Sequence, residues 1–398
     1  MTARDGEPAH GFARAFAASA SREWRFLRRS PADLALAAWL PALCLVLLAW
    51  LLARGVVRDL PVAVVDDDRS AMSRELARLL DATPALSVSA HPRSLADAWP
   101  LVRARDVYAV VYVPAGASRE VARGRSATVF TYYDATLLTA AQAARGDAGA
   151  AVQELAARLA RRETARIRGV LAVRPSPVVV QASTPANAAR SFEAYLLALL
   201  IPAVLHFALC LSAAGAFGRE LRDATAGGWL RGSGGALFPA VAGKAAPYVG
   251  LSALQGVAGV LWLAVVRGHG VHGSVAMLLL GQGALYLASV AVALLFVGVT
   301  RNMGMALSLT TLYVGAALAY SGATFPIDGA TPFAAVWNRL VPLTAYLKLQ
   351  AAQLWSGAPW SASAGDLAAL LLFALVPGAL GLRLFSRAAH DPAAWGAR

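Results

Sequence analysis

The sequence predicts an α-helical polytopic membrane protein with six transmembrane helices and an extracytoplasmic α/β domain inserted after the first. Three observations carry this reading. Only 15% of the 398 residues are charged and 58% are hydrophobic, with a mean hydropathy of +0.55, whereas soluble domains carry about 25% charged residues. Six uncharged apolar runs follow one another between short polar segments. One long interval, between the first and second runs, alternates strand-like and helix-like stretches instead.

The runs are Leu34–Ala53, Ala194–Gly218, Ala245–Val266, Val275–Thr300, Asn302–Phe325 and Leu367–Leu382. A helix needs about 20 residues to cross a hydrocarbon core of about 30 Å. The last run is shorter, so its ends must reach into the headgroups. The first exceeds the roughly 7–15 apolar residues of a signal peptide. It ends in Leu51-Leu52-Ala53-Arg54 without a small-x-small cleavage pattern and reads as an uncleaved anchor. Pro41 and Pro202 fall inside runs and predict kinks.

Basic residues in short flanks set orientation. Arg14, Arg22, Arg25, Arg28 and Arg29 precede the first run; Arg219, Arg222, Arg231 and Lys244 lie between the second and third. Arg301 separates the fourth and fifth, and Arg383, Arg387 and Arg398 follow the sixth. The other side offers only Arg267, Arg339 and Lys348. Both termini are therefore expected in the cytoplasm, with the chain in the cytoplasmic (inner) membrane. The expected domains are a cytoplasmic segment (1–32), a transmembrane helix (33–54), the external domain (55–191) and a five-helix transmembrane domain (192–398). The net charge of +13 builds no compact basic patch beside aromatic platforms, which argues against nucleic acid.

In the external segment, Pro61–Val65, Leu86–Ala90, Val107–Val113 and Ala127–Tyr132 read as strands. Ser70–Leu80, with Ser70 as N-cap, Ser94–Ala104, Ser118–Arg123 and Thr136–Arg168 read as helices. Val178–Gln181 reads as a final strand. Asp66-Asp67-Asp68 invites a metal, but consecutive carboxylates on an extended chain point to alternating sides without further acids at loop spacing. They are expected as solvated strand-end residues capping the next helix. Cys44 and Cys210 lie in apolar runs and form neither a disulfide framework nor a metal spacing. His269 and His272 sit in a Gly-rich turn without an acidic neighbour.

The residues resemble the ABC-2 type exporter permeases that carry a large external insertion after the first helix. Arg22-Glu23-Trp24-Arg25-Phe26-Leu27-Arg28-Arg29-Ser30-Pro31 looks like their basic amphipathic elbow helix on the cytoplasmic surface. Val64-Val65-Asp66 with Asp68, Ser70, Ser73 and Leu76 resembles the opening of their external domain, and Tyr132-Tyr133-Asp134 its strand-ending Asp. Arg219-Glu220, Thr225, Leu230 and Gly243-Lys244 with Pro247 resemble the cytoplasmic loop that docks on an ATPase subunit. Ser321-Gly322 with Phe325-Pro326, then Pro342-Leu343-Thr344 and Gly357, resemble short outer re-entrant helices, here residues 322–365. Ala224 stands where the family has Gly, and Pro185-Ala186-Asn187 where it has Asn-Pro.

The resemblance implies a permease subunit of an ATP-driven exporter. It would move a hydrophobic or amphipathic substrate, with helices two and five lining the pathway. Its implied partners are a cytoplasmic ABC ATPase, a second permease copy, membrane lipid and a periplasmic adaptor. The coupling residues would be Arg219, Glu220, Arg222, Thr225 and Lys244 in the loop 219–244, with Glu220 as the docking acid. Polar groups in spans mark interior or pathway faces. His206, the only ionisable side chain deep in a run, joins Gln255, Gln282, Tyr286, Thr310, Thr311 and Tyr313 as pathway candidates. Interhelical hydrogen bonding is the competing role for these residues. Small residues at helical spacing, as in Gly250, Gly256 and Gly259, fit close helix packing and a dimer. The sequence holds no G-x-x-x-x-G-K-[ST], H-E-x-x-H or G-x-S-x-G pattern. No cofactor is expected on this chain, ATP and magnesium belonging to the partner ATPase. The alternatives are a membrane-anchored receptor or scaffold, which needs no docking helix, and a gradient-driven transporter, which would show intramembrane carboxylates or inverted repeats.

Overall fold

The computed structural model describes residues 7–53, 58–133, 138–168, 191–324, 327, 329–391 and 395–396. Its chain divides into two compact units, Met1–Ala53 with Thr184–Arg398, and Arg54–Ser183. In chain order the first unit begins with the amphipathic helix α1 (Glu7–Arg29). The first span follows as α2 (Pro31–Leu34), a π-helical turn (Ala35–Trp39) and α3 (Leu40–Leu51). The irregularity has a local cause. Pro41 has no N–H to donate, and its ring would crowd the carbonyl four residues back at Ala37; a widened turn relieves that clash. The outer face of this span bares Trp39, Leu43, Val46, Leu47 and Trp50, as lipid-facing residues require.

The α/β unit runs β1 (Leu60–Asp66), α4 (Ala71–Asp81), β2 (Leu86–Ala90), α5 (Leu95–Ala104), β3 (Ala109–Val113), α6 (Ala117–Ala122), β4 (Phe130–Tyr133) and α7 (Leu138–Arg168). The sheet order is β2-β1-β3-β4, with β1 parallel to β2 and β3, and β4 antiparallel to β3. Both faces of the parallel core are covered, so β1 reads as a continuous apolar run. Val62 and Val64 meet Leu76 and Leu80 of α4 together with Ala144 and Ala148 of α7, while Ala63 and Val65 meet Ala98 of α5. Ser70 caps α4 in a reciprocal capping box with Ser73, and Ser94 caps α5. The strand expected at Val178–Gln181 and Asp134 of the family pattern lie outside the described residues.

The three aspartates divide their work. Asp66 accepts from Ser73 Oγ at 2.6 Å and from the Arg69 backbone at 2.8 Å. Asp67 accepts from the Tyr112 hydroxyl at 3.0 Å, and Asp68 accepts from Ser118 N and Oγ at the start of α6. Asp68 thus serves α6, fifty residues away in sequence, as well as the Ser70 cap of the next helix. Burial pushes its carboxyl up, but hydrogen bonds from Ser70, Ser118 and the Gly116 backbone outweigh that and hold it below its usual range. A depressed carboxylate contributes stability above its unfolded pKa, about 4, that fades as pH falls through the folded value. Asp68→Asn should therefore lower the thermal midpoint at pH 7, and the gap to wild type should narrow toward pH 3. An equal gap at both values would contradict this.

The first unit resumes with α8 (Phe192–Arg222), α9 (Ala226–Gly232) and α10 (Leu237–Leu261), which runs into a π turn at Trp262–Val266. Then come α11 (Val275–Thr300), α12 (Met303–Gly315), α13 (Pro332–Arg339), α14 (Pro342–Leu354) and α15 (Trp360–His390). α8 stays helical through Pro202, and α11 is buried along most of its length against α8, α14 and α15. α11 and α15 approach closely: a side chain on Gly298 would meet Leu384 and Phe385, and one on Gly381 the Leu295 backbone. Arg267, expected as an orientation signal, also ties this unit together. Its guanidinium pairs with the fully buried Glu193 at the start of α8 and donates to Ala53 O at 2.8 Å.

The helices differ in length from the uncharged runs in two places. Among the described residues five helices, not six, are long and apolar enough to span a membrane. In the Asn302–Phe325 run, regular helix stops at Gly315, a poor helix former, and turns follow through Tyr320. At about 1.5 Å per residue α12 covers only about 20 Å. The last span is longer than its uncharged stretch, because α15 extends past Arg383 and Arg387 on one side and Asp366 on the other.

Candidate coupling site

The loop between α8 and α10 is built by local rules before any long-range contact forms. α8 ends in a Schellman arrangement: Thr225 N donates to Glu220 O at 3.0 Å and Ala224 N to Leu221 O at 3.2 Å. Ala224 sits at φ +56°, in the left-handed region that favours glycine. An alanine there costs roughly 1 kcal/mol. Ala224→Gly should therefore raise the thermal midpoint; a fall would show that the residue is not strained. The same turn brings the Thr225 hydroxyl onto Glu220 Oε2 at 2.6 Å.

Behind this turn lies a buried ionic cluster joining α1, α8 and α10. Lys244 Nζ donates to Glu220 Oε1 at 2.7 Å and to Glu23 Oε2. Glu23 Oε1 accepts from Arg219 Nη2 at 2.6 Å and from the Tyr248 hydroxyl at 2.7 Å. Arg22 holds Glu220 with both guanidinium ends, at 2.7 and 3.2 Å, and Arg219 Nη1 reaches Asp33 at 3.1 Å. Three acids thus balance three bases: Glu23, Glu220 and Asp33 against Arg22, Arg219 and Lys244. The Phe26 ring lies 3.5 Å from the Arg219 guanidinium carbon, and the Trp229 ring of α9 lies 5.3 Å from Lys244 Nζ. Trp229 also donates to Ser19 Oγ at 2.8 Å, and Ser19 donates to Ala240 O at 2.7 Å. Glu23, Glu220 and Lys244 are each at most 2% exposed. Charges so buried are sustained only by complete pairing, so the geometry of all three helices is fixed together.

This places the expected coupling residues. Arg219, Glu220, Thr225 and Lys244 converge on one cluster; Arg222 does not, and pairs with Asp223 at 2.7 Å. Glu220 faces inward and is neutralised within the chain by Lys244 and Arg22. The loop surface instead bares Asp223, Gly228 and Arg231. Sequence reasoning missed Glu23, Asp33, Tyr248 and Trp229 as members. A signal existed in Glu23, the only acid in the arginine-rich run 22–29, and in Tyr248, one helical turn after Lys244.

The pathway candidates occupy separate settings. His206 on α8 pairs through Nδ1 with Ser289 Oγ of α11 at 2.7 Å, and its Nε2 is buried without a partner among the described residues. Gln282 and Tyr286 lie against Gly256, where a side chain would collide with both; the Tyr286 hydroxyl is buried without a partner among the described residues. Gln255 donates to Ala38 O at 3.2 Å. Thr310 is buried with a hydroxyl that has no partner among the described residues, whereas Thr311 is exposed and donates to Leu307 O at 2.8 Å. Tyr313 donates to Leu340 O. Thr311 and Tyr313 are thus satisfied by backbone. Of the re-entrant residues, Pro342 opens α14 and is buried; Phe325 and Pro326 lie outside the described residues.

Five apolar spanning helices and an amphipathic helix locked by charge to an interhelical loop define a multi-pass integral membrane protein. The family described as ABC-2 family transporter protein matches residues 33–383, and the chain belongs to it. Its members are membrane subunits of transport that generally work with a cytoplasmic ABC ATPase. Arg22 and Glu23 precede the matched region, while Asp33, Arg219, Glu220, Lys244 and Tyr248 fall within it. No curated protein matches the sequence.

Proposed function

We propose that this chain is the permease subunit of an ATP-driven exporter in the cytoplasmic membrane, working as a dimer with a separate ATPase docked on the loop 219–244. The observation that carries the reading is the charge cluster beneath that loop. A push on α9 moves Trp229, Glu220 and Lys244, and through them α1, α8 and α10, as one body. Glu220 acts from behind the contact rather than in it, and the exposed Asp223 and Arg231 meet the partner. ATP and magnesium belong to that partner. α12 and the turns after it complete a sixth crossing, which keeps both termini in the cytoplasm. The α/β unit lies outside and hands cargo to an adaptor.

Purification of the full chain in mild detergent from its native cell should bring down an ABC ATPase. Arg231→Glu should weaken that association without moving the thermal midpoint. Reproducible absence of any ATPase would favour a membrane-anchored scaffold and overturn the reading.

A further inference from the structure

Two chambers in the membrane unit share three walls. The larger, about 540 Å³, is lined by Tyr195 and Leu199 of α8, Ser321, and Leu347, Lys348 and Trp355 on or just after α14. The smaller, about 410 Å³, is lined by Leu200, Val204 and Phe207 of α8, by Leu318 and Leu343, and by Leu40 of the first span. On every shared wall one chamber begins within a helical turn of where the other ends: Leu199 beside Leu200, Leu318 three residues before Ser321, and Leu343 four before Leu347.

The chambers differ in chemistry. Every side chain lining the smaller is apolar or a lone thiol, Cys44. Leu40 there is 58% exposed, so the chamber opens sideways toward hydrocarbon. The larger holds a cation. From Val341 to Gln350 every residue is buried except Lys348, and among the described residues its ammonium has no hydrogen-bond or salt-bridge partner. Among the described residues Asp366 is an acid within electrostatic reach, without a direct salt bridge. The polar side chains nearby are already committed: the Tyr195 hydroxyl donates to Ala323 O, Asn338 to Tyr320 O and Gln350 to Ala198 O. Among the described lining residues Lys348 is the free donor. Tyr195 and Trp355 at its rim are residue types that settle at the headgroup level of a bilayer.

We infer that the two chambers form one site for an anionic amphiphile, with a phosphate-type headgroup on Lys348 and an acyl chain in the groove of Leu40, Val204, Phe207 and Leu343. A free anion would leave the groove unfilled, and a neutral apolar molecule would leave the cation unused. Polar cargo in the groove would lose its hydration without replacement. The inference rests on the transport reading, since it names the class of substrate that such a permease would carry.

The test uses the purified full chain in nanodiscs, without ATPase or ATP, and a fluorescent phosphatidylglycerol analogue against its phosphatidylcholine counterpart. Wild type should prefer the anionic lipid. Lys348→Gln should weaken that lipid about five-fold, the order expected of one lysine at an anionic headgroup. It should leave the zwitterionic lipid unchanged, and Lys348→Arg should keep the preference. Ala203→Phe, which fills the groove, should weaken both lipids. Equal binding of the two lipids by wild type, or an unaltered anionic affinity in Lys348→Gln, would overturn the site. So would competition by glycerol phosphate as effective as by the lipid, or loss of lipid binding when a second copy covers the groove. Failure to capture an ATPase would sink the transport reading while leaving these binding results standing, so the two are separable.

Discussion

Glu23→Gln is expected to be among the most destabilising substitutions in the membrane unit. Glu23 bridges Lys244, Arg219 and the Tyr248 hydroxyl, all of which are buried. Gln keeps the shape but removes the charge, leaving Lys244 and Arg219 in excess over the remaining acids. Removing one partner of a buried pair costs about 3–5 kcal/mol. Lys244→Met alone should cost less. It leaves Glu23 with Arg219 and Tyr248, and Glu220 with Arg22 and Thr225. Combining the two restores the balance of charge, so the double variant should be more stable than the sum of the single losses predicts. Thermal unfolding of the four proteins measures this, with a coupling of about 0.5–3 kcal/mol expected for side chains in contact. Strict additivity would show that the pair does not act as a unit.

Gly243→Val should produce a comparable loss by a steric route. α1 packs along α10 so closely that a Cβ on Gly243 would fall well inside van der Waals contact distance of the Phe16 carbonyl oxygen and 3.0 Å from Ser19 Cβ. The obstacle is backbone, so no rotamer change relieves it and α1 must lift away. That displaces Ser19, Arg22 and Glu23 from their partners, adding broken charge pairs to an overpacking cost of about 1–3 kcal/mol. Limited proteolysis within α1 should accelerate markedly. Gly250→Ala on the same helix is the control. Nothing lies within 4 Å of its added carbon, and the exchange should stabilise α10 by up to about 1 kcal/mol. Equal sensitivity of the two variants would refute the close α1–α10 contact.

What could be read from the sequence follows from the range of the forces involved. The strand and helix order of the α/β unit was legible because Ser70 and Ser94 cap locally and β1 is a short continuous apolar run of the kind a strand covered on both faces requires. The apolar helices were legible because hydrocarbon selects composition over a whole turn-by-turn length. The shortness of α12 was not, because a run of uncharged residues scores alike whether it is helix or turn; Gly315 and Gly322 were the available hints. The inward face of Glu220 was hidden for a stronger reason. Its partners Lys244 and Arg22 lie 24 and 198 residues away, and the Glu23–Lys244 pair spans 221. No local period reports which acid meets which base at that separation. A loop rich in charge looks solvated until the amphipathic helix is laid across it. The candidate pathway residues were found as types, polar groups in apolar helices, but their division into satisfied and unpartnered atoms depends on neighbours such as Ser289 and Leu340.

The most direct test of the coupling role is the ratio of cargo exported to ATP hydrolysed, measured in proteoliposomes holding the chain with the ATPase that copurifies with it. Lys244→Met protein that remains folded and ATPase-bound should export less per ATP hydrolysed, because Glu220 loses its direct tie to α10 while the ties of α8 to α1 stay in place. Export per ATP equal to wild type in that variant, or transport by the chain alone on an ion gradient, would contradict the account.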